Sequence, residues 1–496
     1  MRATVHSNTT KKPSVTRAAW TTLVLAAFGF PGALAQNPPE RSETAASRPT
    51  TRAAEITARY SGIAQRIITS AQLRNEGYEK LQQLCDGIGH RLSGSQALER
   101  AVVWAEDTMK KAGLENVRAE KVMVPVWVRG EERVDLVEPR SERLPALALG
   151  GSVGTGLTPL VAEVVAVKSF QELDRLGEAG VRGKIVVFNV PYEGYGRTVQ
   201  YRSSGASRAA KLGAVGVLVR SAGPSGLRTP HTGALRYEEG APRIPAAAIS
   251  SEDAAMLGRL AAPPAKVVVR MQLGCETRPD AESHNVIGEL VGAVSREEIV
   301  VVGGHLDSWD VGQGAQDDGG GVVTSLEAVA HLKRLGLRPR RTIRVVFWTN
   351  EENGLKGALA YRDQHKAELK NHVLAIETDG GLEKPVGFGF GLKPDRDARE
   401  PSARHLEAAD KLRGVLSLLA SIEADTLALD GGGADIGPLM REGVFGLSMD
   451  TVGKRYFEWH HTDADTIDKI DPVNLDLHVA ALAVVTYVVA DMPDRL

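Results

Sequence analysis

The chain has 496 residues, of which 43% are hydrophobic and 25% charged, with a formal net charge of −2. This length exceeds one ordinary hydrophobic core, so two or three domains are expected. The near-neutral charge and the absence of a long basic run argue against nucleic acid or an anionic membrane surface as a partner.

The N-terminus has the three-part pattern of a secretory signal peptide. Basic residues precede an apolar stretch at 18–30, and small residues lead to a cleavage site after Ala35. A membrane anchor is the alternative, but the stretch is shorter than the roughly 20 apolar residues that a span needs. We expect residues 1–35 to be removed, and the mature protein to be periplasmic or secreted, without a membrane span.

The cysteine content gives little further information. Cys85 and Cys275 are the only cysteines. Neither has the spacing of a thiolate zinc site, and sequence alone does not pair them. We interpret both as structural.

Residues 36–52 are rich in Pro, Ser, Glu and Arg, a composition typical of a disordered leader or short pro-segment. Helical spacing of apolar residues follows, and then a strand pattern that includes residues 133–137. A Pro- and Gly-rich stretch at 139–156 resembles a domain boundary. We therefore expect residues 53–150 to form the first part of one domain.

A second domain is predicted for residues 156–273. Its pattern changes to short Val-rich strands, such as those at 184–190 and 215–219. The segments VRGKIVVFNV and AAKLGAVGVLV resemble the protease-associated domain, a small β-rich module often inserted in exported peptidases. Another α/β insert is the alternative, because strand pattern alone defines a fold weakly.

From residue 276 to 496 the first domain resumes, with strands and helices in alternation. Strands are predicted at 286–290, 299–302, 342–349 and 373–377, and helices at 318–335 and 357–368. This alternation predicts an α/β fold with a largely parallel mixed sheet flanked by helices.

Polar side chains follow three of these strands. His305 and Asp307 leave the first, Glu351 and Glu352 the second, and Asp379 the third. In open parallel sheets, ligands bind outside the carboxyl ends of the strands. We expect these five side chains to meet at one edge.

Two further pairs complete the set. Asp317 and Asp318 precede three glycines at a helix start, and His460 and His461 lie in a loop. Each pair alone has an ordinary explanation, such as a helix cap or a surface loop. Together, however, two histidines and three carboxylates suit zinc and exceed the needs of one ion. Asp317 is placed to bridge two metal ions.

Four motifs resemble those of the co-catalytic di-zinc exopeptidase family, which includes bacterial zinc aminopeptidases and carboxypeptidase Q. They are GGHLDSWDVGQGAQDDGGG, WTNEENG, ETDGG and HHTDADT. LCDGIGHRLSGS and YFEWHHTDADT are similar to the carboxypeptidase Q branch, and the likeness runs from Tyr78 to Met492. The resemblance implies a zinc exopeptidase fold with a protease-associated-like cap.

The resemblance also implies two Zn²⁺ ions per chain and a role for each site residue. The implied metal ligands are His305, Asp317, Glu352, Asp379 and His461, with a cis peptide bond between Asp317 and Asp318. The implied catalytic groups are Glu351 as general base, Asp307 as the acid that orients His305, and His460 as the group that steadies the oxyanion.

The implied activity is hydrolysis of dipeptides or short peptides through a metal-bound hydroxide, by an exported homodimer. Tyr195 or His231 of the cap would reach the substrate, and the loop at 431–433 with Asp435 would border the site. An aminopeptidase acting on longer peptides is the first alternative. A single-zinc glutaminyl cyclase on the same scaffold and an inactive binding protein are the others, although the complete set of ligands argues against the last.

Overall fold

The computed structural model describes residues 51–74, 76–391 and 400–496. The predicted signal peptide lies outside the described residues, as does the predicted leader up to residue 50. The α-helices are α1 Thr51–Leu73, α2 Gly77–Cys85, α3 Gln96–Lys111, α4 Phe170–Val181, α5 Tyr195–Lys211, α6 Ser251–Leu260, α7 Gly320–Arg334, α8 Lys356–Gln364, α9 Ala403–Leu416, α10 Gly437–Arg441, α11 Tyr456–Trp459 and α12 Pro472–Asp491. Short turns of other helix types occur at Ala315–Gly319 (a π-helix), Leu369–Asn371, Ser417–Ile422 and Ile467–Lys469.

Sixteen strands are described, and they form two sheets. The strands are β1 Glu115–Val128, β2 Glu132–Glu138, β3 Glu142–Leu144, β4 Ala146–Ala148, β5 Leu160–Val167, β6 Ile185–Phe188, β7 Gly216–Arg220, β8 Ala246–Ile249, β9 Val268–Leu273, β10 Glu276–Leu290, β11 Ser295–His305, β12 Arg341–Trp348, β13 His372–Glu377, β14 Pro385–Phe390, β15 Thr426–Ala428 and β16 Gly446–Thr451.

The first sheet has the order β1-β10-β12-β11-β13-β16-β14-β15. Its centre, β12-β11-β13-β16, is parallel. The pairs β1-β10, β10-β12 and β16-β14 are antiparallel, and β15 at the edge pairs in parallel with β14. The carboxyl ends of the central strands therefore meet at one edge, where a ligand can bind. The predicted α/β class with a mixed sheet is confirmed.

Alternate residues of β11, at the centre of the first sheet, pack against helices on opposite faces of that sheet. Val300 and Val302 pack into a core with α1, α7, α9 and α12, whereas Ile299 and Val301 pack against α8 and α10 on the other face. Successive side chains of a strand point to opposite faces, so this uninterrupted apolar run is covered on both sides. The strand is thereby fixed in register, and His305 at its end is fixed with it.

The second sheet forms a cap, which we define as residues 132–273. Its order is β3-β2-β9-β5-β6-β7-β8-β4, with an apolar core on each face. Strands β2, β3 and β4 pair within this sheet, although the sequence pattern placed them in the first part of the other domain. The chain passes from the first sheet into the cap between β1 and β2. Only a few residues separate these strands, so no break in the hydrophobic pattern marks this point. The domain limits themselves stay a prediction.

One described helix, α12, has the length and apolar composition to cross a membrane, which differs from the expectation that no later segment does. However, 78% of its apolar window is buried inside the protein. It packs against α1, α7 and β12 in the main core. An α-helix that is apolar all round is typical of such a central position.

His478 of α12 makes the stability of this core depend on pH. It is 2% exposed, and its Nε2 donates to the Glu383 carbonyl at 2.7 Å. Burial lowers the pKa of His478 from 6.5 to about 4. The unfolded chain therefore takes up a proton that the folded chain does not, so this residue costs stability as the pH falls from 6.5 towards 4.

We expect His478→Gln to reduce the acid sensitivity of folding. Between pH 7 and pH 5 the wild-type chain should lose about 2 kcal/mol of unfolding free energy through His478, and the variant should not. Urea unfolding at both pH values measures the difference, with His90→Gln, at an exposed position, as the control. An unchanged pH dependence in His478→Gln would contradict this account.

Candidate metal and active site

Asp317 lies at the centre of the site. Its Oδ1 is 3.2 Å from His305 Nε2, and its Oδ2 is 3.1 Å from His461 Nε2. The peptide bond from Asp317 to Asp318 is cis, as the resemblance implied. One carboxylate thus faces two imidazoles, His305 at the end of β11 and His461 in a loop 156 residues further along the chain.

Each side of Asp317 has a further carboxylate. On one side, Asp379 Oδ1 lies 3.7 Å from His305 Nε2. On the other, Glu352 Oε2 lies 3.1 Å from His461 Nε2, and its Oε1 accepts from the Trp309 backbone N at 3.1 Å. The structure therefore brings the five predicted ligand residues together in two groups that share Asp317.

The tautomers of both histidines are set by backbone carbonyls. His305 Nδ1 donates to the Asp307 carbonyl at 2.9 Å. His461 Nδ1 donates to the Thr232 carbonyl at 3.2 Å, which is closer than Arg202 Nη1 at 3.4 Å. A carbonyl only accepts, so in the neutral form of each ring the proton is on Nδ1 and Nε2 keeps its lone pair for a cation. Burial lowers the pKa of His305, but Asp317 and Asp379 outweigh that effect and raise it well above the usual value.

The donor atoms fit metal ions. His305 Nε2 and Asp379 Oδ1 are buried and have no hydrogen-bond partner among the described residues. Within overlapping trios such as His305, Asp317 and Glu352, the ligand atoms all lie within 4.8 Å of one another. Such spacing suits donors around an ion bound at about 2.0–2.2 Å.

Asp318 and His460 are close to the same point but differ in their contacts. The Asp318 oxygens accept from the His305 and Gly321 backbone N–H groups at 3.1 and 3.0 Å. The His460 ring stacks on that of His461, with centroids 3.6 Å apart, and its Nε2 is 3.5 Å from Asp317 Oδ2. Asp318 therefore fixes the backbone, while His460 borders the site beside the last histidine.

Asp307 connects two strand ends. It is fully buried, and its Oδ1 and Oδ2 accept from the backbone N–H groups of Glu351 and Glu352 at 3.0 and 3.3 Å. These bonds hold the Glu-Glu turn after β12 against the residues that follow β11. Asp307 thus orients the pair of glutamates as well as the His305 loop.

Glu351 lines a cavity of about 600 Å³, whose walls come from the cap and from loops that follow the strands of the first sheet. Burial raises the pKa of Glu351 well above its usual value, and nearby carboxylates, led by Asp379, add to this. The lining also includes Asp379 and His460, with Tyr195 and Arg202 from the cap. Tyr195 was predicted to contact the substrate, and its position on the cavity wall agrees with that prediction.

Two other predicted contacts lie deeper. Asp435 is fully buried, and the neighbouring Glu377 accepts from the Ala434 and Ile436 backbone N–H groups at 2.9 and 2.8 Å. His231 is 3% exposed, and its Nδ1 donates to the His460 carbonyl at 2.8 Å. Both side chains therefore support the wall instead of lining it, and Ala434 lines it.

The sequence analysis missed Arg91, which lies in the HRLSGS turn. The side chain is fully buried and donates to three carbonyls around the site: Nε to Leu306 at 2.8 Å, Nη1 to Gln313 at 2.7 Å and Nη2 to Gly314 at 3.0 Å. It joins the end of β11 to the loop before Asp317. A lone arginine in a polar turn carries no pattern that reveals such a role.

Asp465 of the HHTDADT motif was also given no role. Its Oδ1 accepts from the Ala315 and Gln316 backbone N–H groups at 3.1 and 2.7 Å, and its Oδ2 accepts from Asp317 N at 3.2 Å. Burial raises the pKa of Asp465 to about 7. The carboxylate anchors the backbone of the bridging aspartate, and its place within the motif was the available signal.

The cap contacts the histidine loop directly. Thr232 N donates to the His461 carbonyl at 2.9 Å, and Arg202 Nη1 donates to the Thr232 carbonyl at 3.2 Å. His461 has a φ of 62°, which a side chain other than glycine rarely adopts. Contacts from the cap thus help to hold this histidine in a strained conformation.

Comparisons with known proteins agree with this geometry. The model of Peptidase family M28 matches residues 285–486, and the model of the PA domain matches residues 158–257. Carboxypeptidase Q from Mus musculus is 42% identical over 445 residues, which cover 89% of this chain and 92% of that protein. Carboxypeptidase Q from Xenopus laevis is 44% identical over 441 residues, with 88% and 91% covered.

Solved structures are similar as well. The Peptidase M28 precursor from Shewanella amazonensis superposes with a TM-score of 0.83 at 35% identity, covering 89% of this chain and 98% of that one. The zinc aminopeptidase BSAP from Bacillus subtilis gives a TM-score of 0.63 at 20% identity, with 85% and 96% covered, which shows the shared fold. The resemblance drawn from the motifs, including its cap, is confirmed.

We expect Asp465→Asn to weaken metal retention without unfolding the chain. The amide keeps one acceptor but turns an NH₂ group towards a backbone N–H, so the loop that carries Asp317 should shift. Loss of such an outer contact typically costs about 10–100-fold in metal affinity. Competition with a chelator measures it, and Asp463→Asn, at an exposed position of the same loop, is the matched control. Equal affinities in the two variants would show that the anchor is unimportant.

Proposed function

The chain belongs to peptidase family M28 and is a zinc metallopeptidase, and on this basis we propose that it is an exported di-zinc exopeptidase of dipeptides or short peptides. The observation that carries the proposal is the carboxylate of Asp317, with one oxygen 3.2 Å from His305 and the other 3.1 Å from His461. A shared carboxylate between two histidines is the arrangement that a pair of zinc ions requires.

The proposed ligands follow from the two groups around this carboxylate. His305 and Asp379 would hold one ion, Glu352 and His461 the other, and Asp317 both. When bound, the ions would supply Lewis acidity, which lowers the pKa of a water molecule and polarises the scissile carbonyl. Asp307 would fix the His305 tautomer through its carbonyl, and the turn of the glutamates through its carboxylate.

Glu351 is the proposed general base. Its carboxyl group lines the cavity, and its backbone is held by Asp307 at 3.0 Å. Glu351 would take a proton from the attacking water and later deliver it to the leaving amine. His460, whose ring is fixed by stacking on His461 and by the edge of Tyr195, would steady the oxygen of the attacked carbonyl.

The cavity supports a small substrate. Its 600 Å³ is bounded by the cap on one side and by the strand ends on the other, so a short peptide fits more readily than a long chain. The similarity to proteins named carboxypeptidase Q supports the same choice. Export rests on the pattern of residues 1–35, and assembly as a homodimer rests on the resemblance alone.

Two substitutions separate the roles of base and ligand. Glu351→Gln should lower kcat by about 10²–10⁴-fold, because a positioned proton acceptor is lost, while metal content stays near two ions per chain. Asp317→Asn should lower metal content as well, because the shared donor is weakened. Turnover and metal analysis on the same preparations provide the test, and equal metal loss in both variants would contradict the assignment.

Substrate choice can be measured directly. We expect faster turnover of a dipeptide such as Ser-Met than of an aminoacyl anilide, because the cap limits the space beyond the scissile bond. The reverse order would favour an aminopeptidase acting on longer peptides. Metal analysis that found a single zinc ion would instead favour a glutaminyl cyclase-like site.

A further inference from the structure

The charges on the cavity wall are unevenly distributed. Four acids line it: Asp317, Glu351, Glu352 and Asp379. All four lie on the strand-end side, and under the proposed function three are metal ligands and one is the base. No further acid is present among the described lining residues to bind a free α-ammonium group.

The cations lie on the opposite side. Arg202 and Arg236 are the only lysine or arginine side chains among the described residues that line the cavity, and both belong to the cap. Under the proposed function, the metal ions would offset the charge of the acids that hold them. The guanidinium groups on the cap side would then attract the negative end of a substrate.

Both terminal nitrogens of Arg202 have partners within the protein, whereas its Nε is buried without one. Its Nη1 donates to the Thr232 carbonyl at 3.2 Å, and its Nη2 donates to the Tyr195 hydroxyl at 2.8 Å. The side chain is 7% exposed. It supports the cap contact with His461, so it is poorly placed to release these bonds for a substrate.

Arg236 is different. Its backbone N donates to the Ser203 carbonyl at 2.8 Å, which fixes its position on the cavity wall. Its side chain is exposed, and no hydrogen bond or ion pair of its guanidinium group is found within residues 51–74, 76–391 and 400–496. A free, planar donor group is thus held next to a catalytic cavity.

We propose that Arg236 binds a carboxylate group of the substrate's C-terminal residue, and so selects the chain end that this enzyme cleaves. The guanidinium fork matches a carboxylate with two parallel N–H···O bonds. One extended residue spans about 3.3–3.6 Å, so the C-terminal carboxylate of a dipeptide lies close to the scissile bond. Arg236 of the cap then binds the C-terminal end of the substrate, while the residues that follow the strands of the first sheet catalyse hydrolysis. This inference rests on the proposed function.

The carboxylate has two possible sources, the α-carboxylate and an acidic side chain. The test uses the metal-loaded enzyme and four substrates: Ala-Ala, Ala-Ala-NH₂, Ala-Glu-NH₂ and Ala-Gln-NH₂. The first pair varies the α-carboxylate, and the second pair varies the side chain. Arg236→Gln is compared with Arg236→Lys and with Arg243→Gln, an exposed arginine seven residues on that packs over Tyr237 and does not line the cavity.

We expect Arg236→Gln to lower kcat/KM for Ala-Ala about tenfold, mainly through KM, and to leave Ala-Ala-NH₂ unchanged. Arg236→Lys, which keeps the charge but loses the fork, should lie between. Loss confined to Ala-Glu-NH₂ would support the proposal with the side chain as the source. Equal effects on all four substrates, or the same effects in Arg243→Gln, would overturn it.

Binding without turnover separates this inference from the proposed function. Calorimetry with a reduced-bond Ala-Ala analogue (–CH₂NH–) and its amide compares affinities directly. The wild-type chain should bind the acid about tenfold more tightly than the amide, and Arg236→Gln should bind both alike. If the wild type shows no such preference, the role of Arg236 fails even where peptides are cleaved. If the preference is present but no peptide is cleaved, the proposed function fails and the binding site remains.

Discussion

The structure depends on the burial of many carboxylates at one edge of a parallel sheet. Asp307, Asp317 and Asp318 are all at most 5% exposed, and Glu352 is 8% exposed. Burial raises the pKa of Asp307, Asp318 and Glu352, because charged groups of like sign are costly away from water. Divalent cations are the natural counter-charge for such a cluster. Burying these acids close together is unfavourable in free energy, and the binding of cations would offset that cost.

Backbone groups hold the site residues in place as much as side chains do. Arg91 and Asp465 work in opposite senses, the first donating to carbonyls and the second accepting from N–H groups. Between them they fix both ends of the loop that leads to Asp317. Because each bond is local to the loop, a small shift in either residue would move the shared carboxylate relative to both histidines, and geometry of this kind decides metal affinity.

Much of the site could be predicted because parallel strands place their ends together. The apolar run before His305 and the strand before Glu351 were visible in the sequence, and the edge they share follows from topology. The crossing from β1 into the cap was not visible, since β2 looks like any other strand. The π-turn at Ala315–Gly319 was predicted as the start of an ordinary helix, because its form depends on Asp465, almost 150 residues away. Local sequence patterns do not predict contacts between segments that are far apart in the chain.

The cap takes part in the site in two ways. Thr232 contacts both the backbone and the ring of His461, so the cap helps to position this candidate ligand beside the Asp317 carboxylate. Trp309 extends the same contact from the other direction, since it follows β11 yet packs in the cap core, where its ring leaves no room for a side chain at Gly150. These contacts hold the cap against the loops that carry the candidate ligands, and the backbone of Arg236 belongs to the cap wall of the same cavity. Under the role proposed for Arg236, a carboxylate one residue further along a substrate would lie about 3.3–3.6 Å beyond its binding place. Binding it would displace either the scissile bond or the guanidinium group, so substrate length would matter as well as charge.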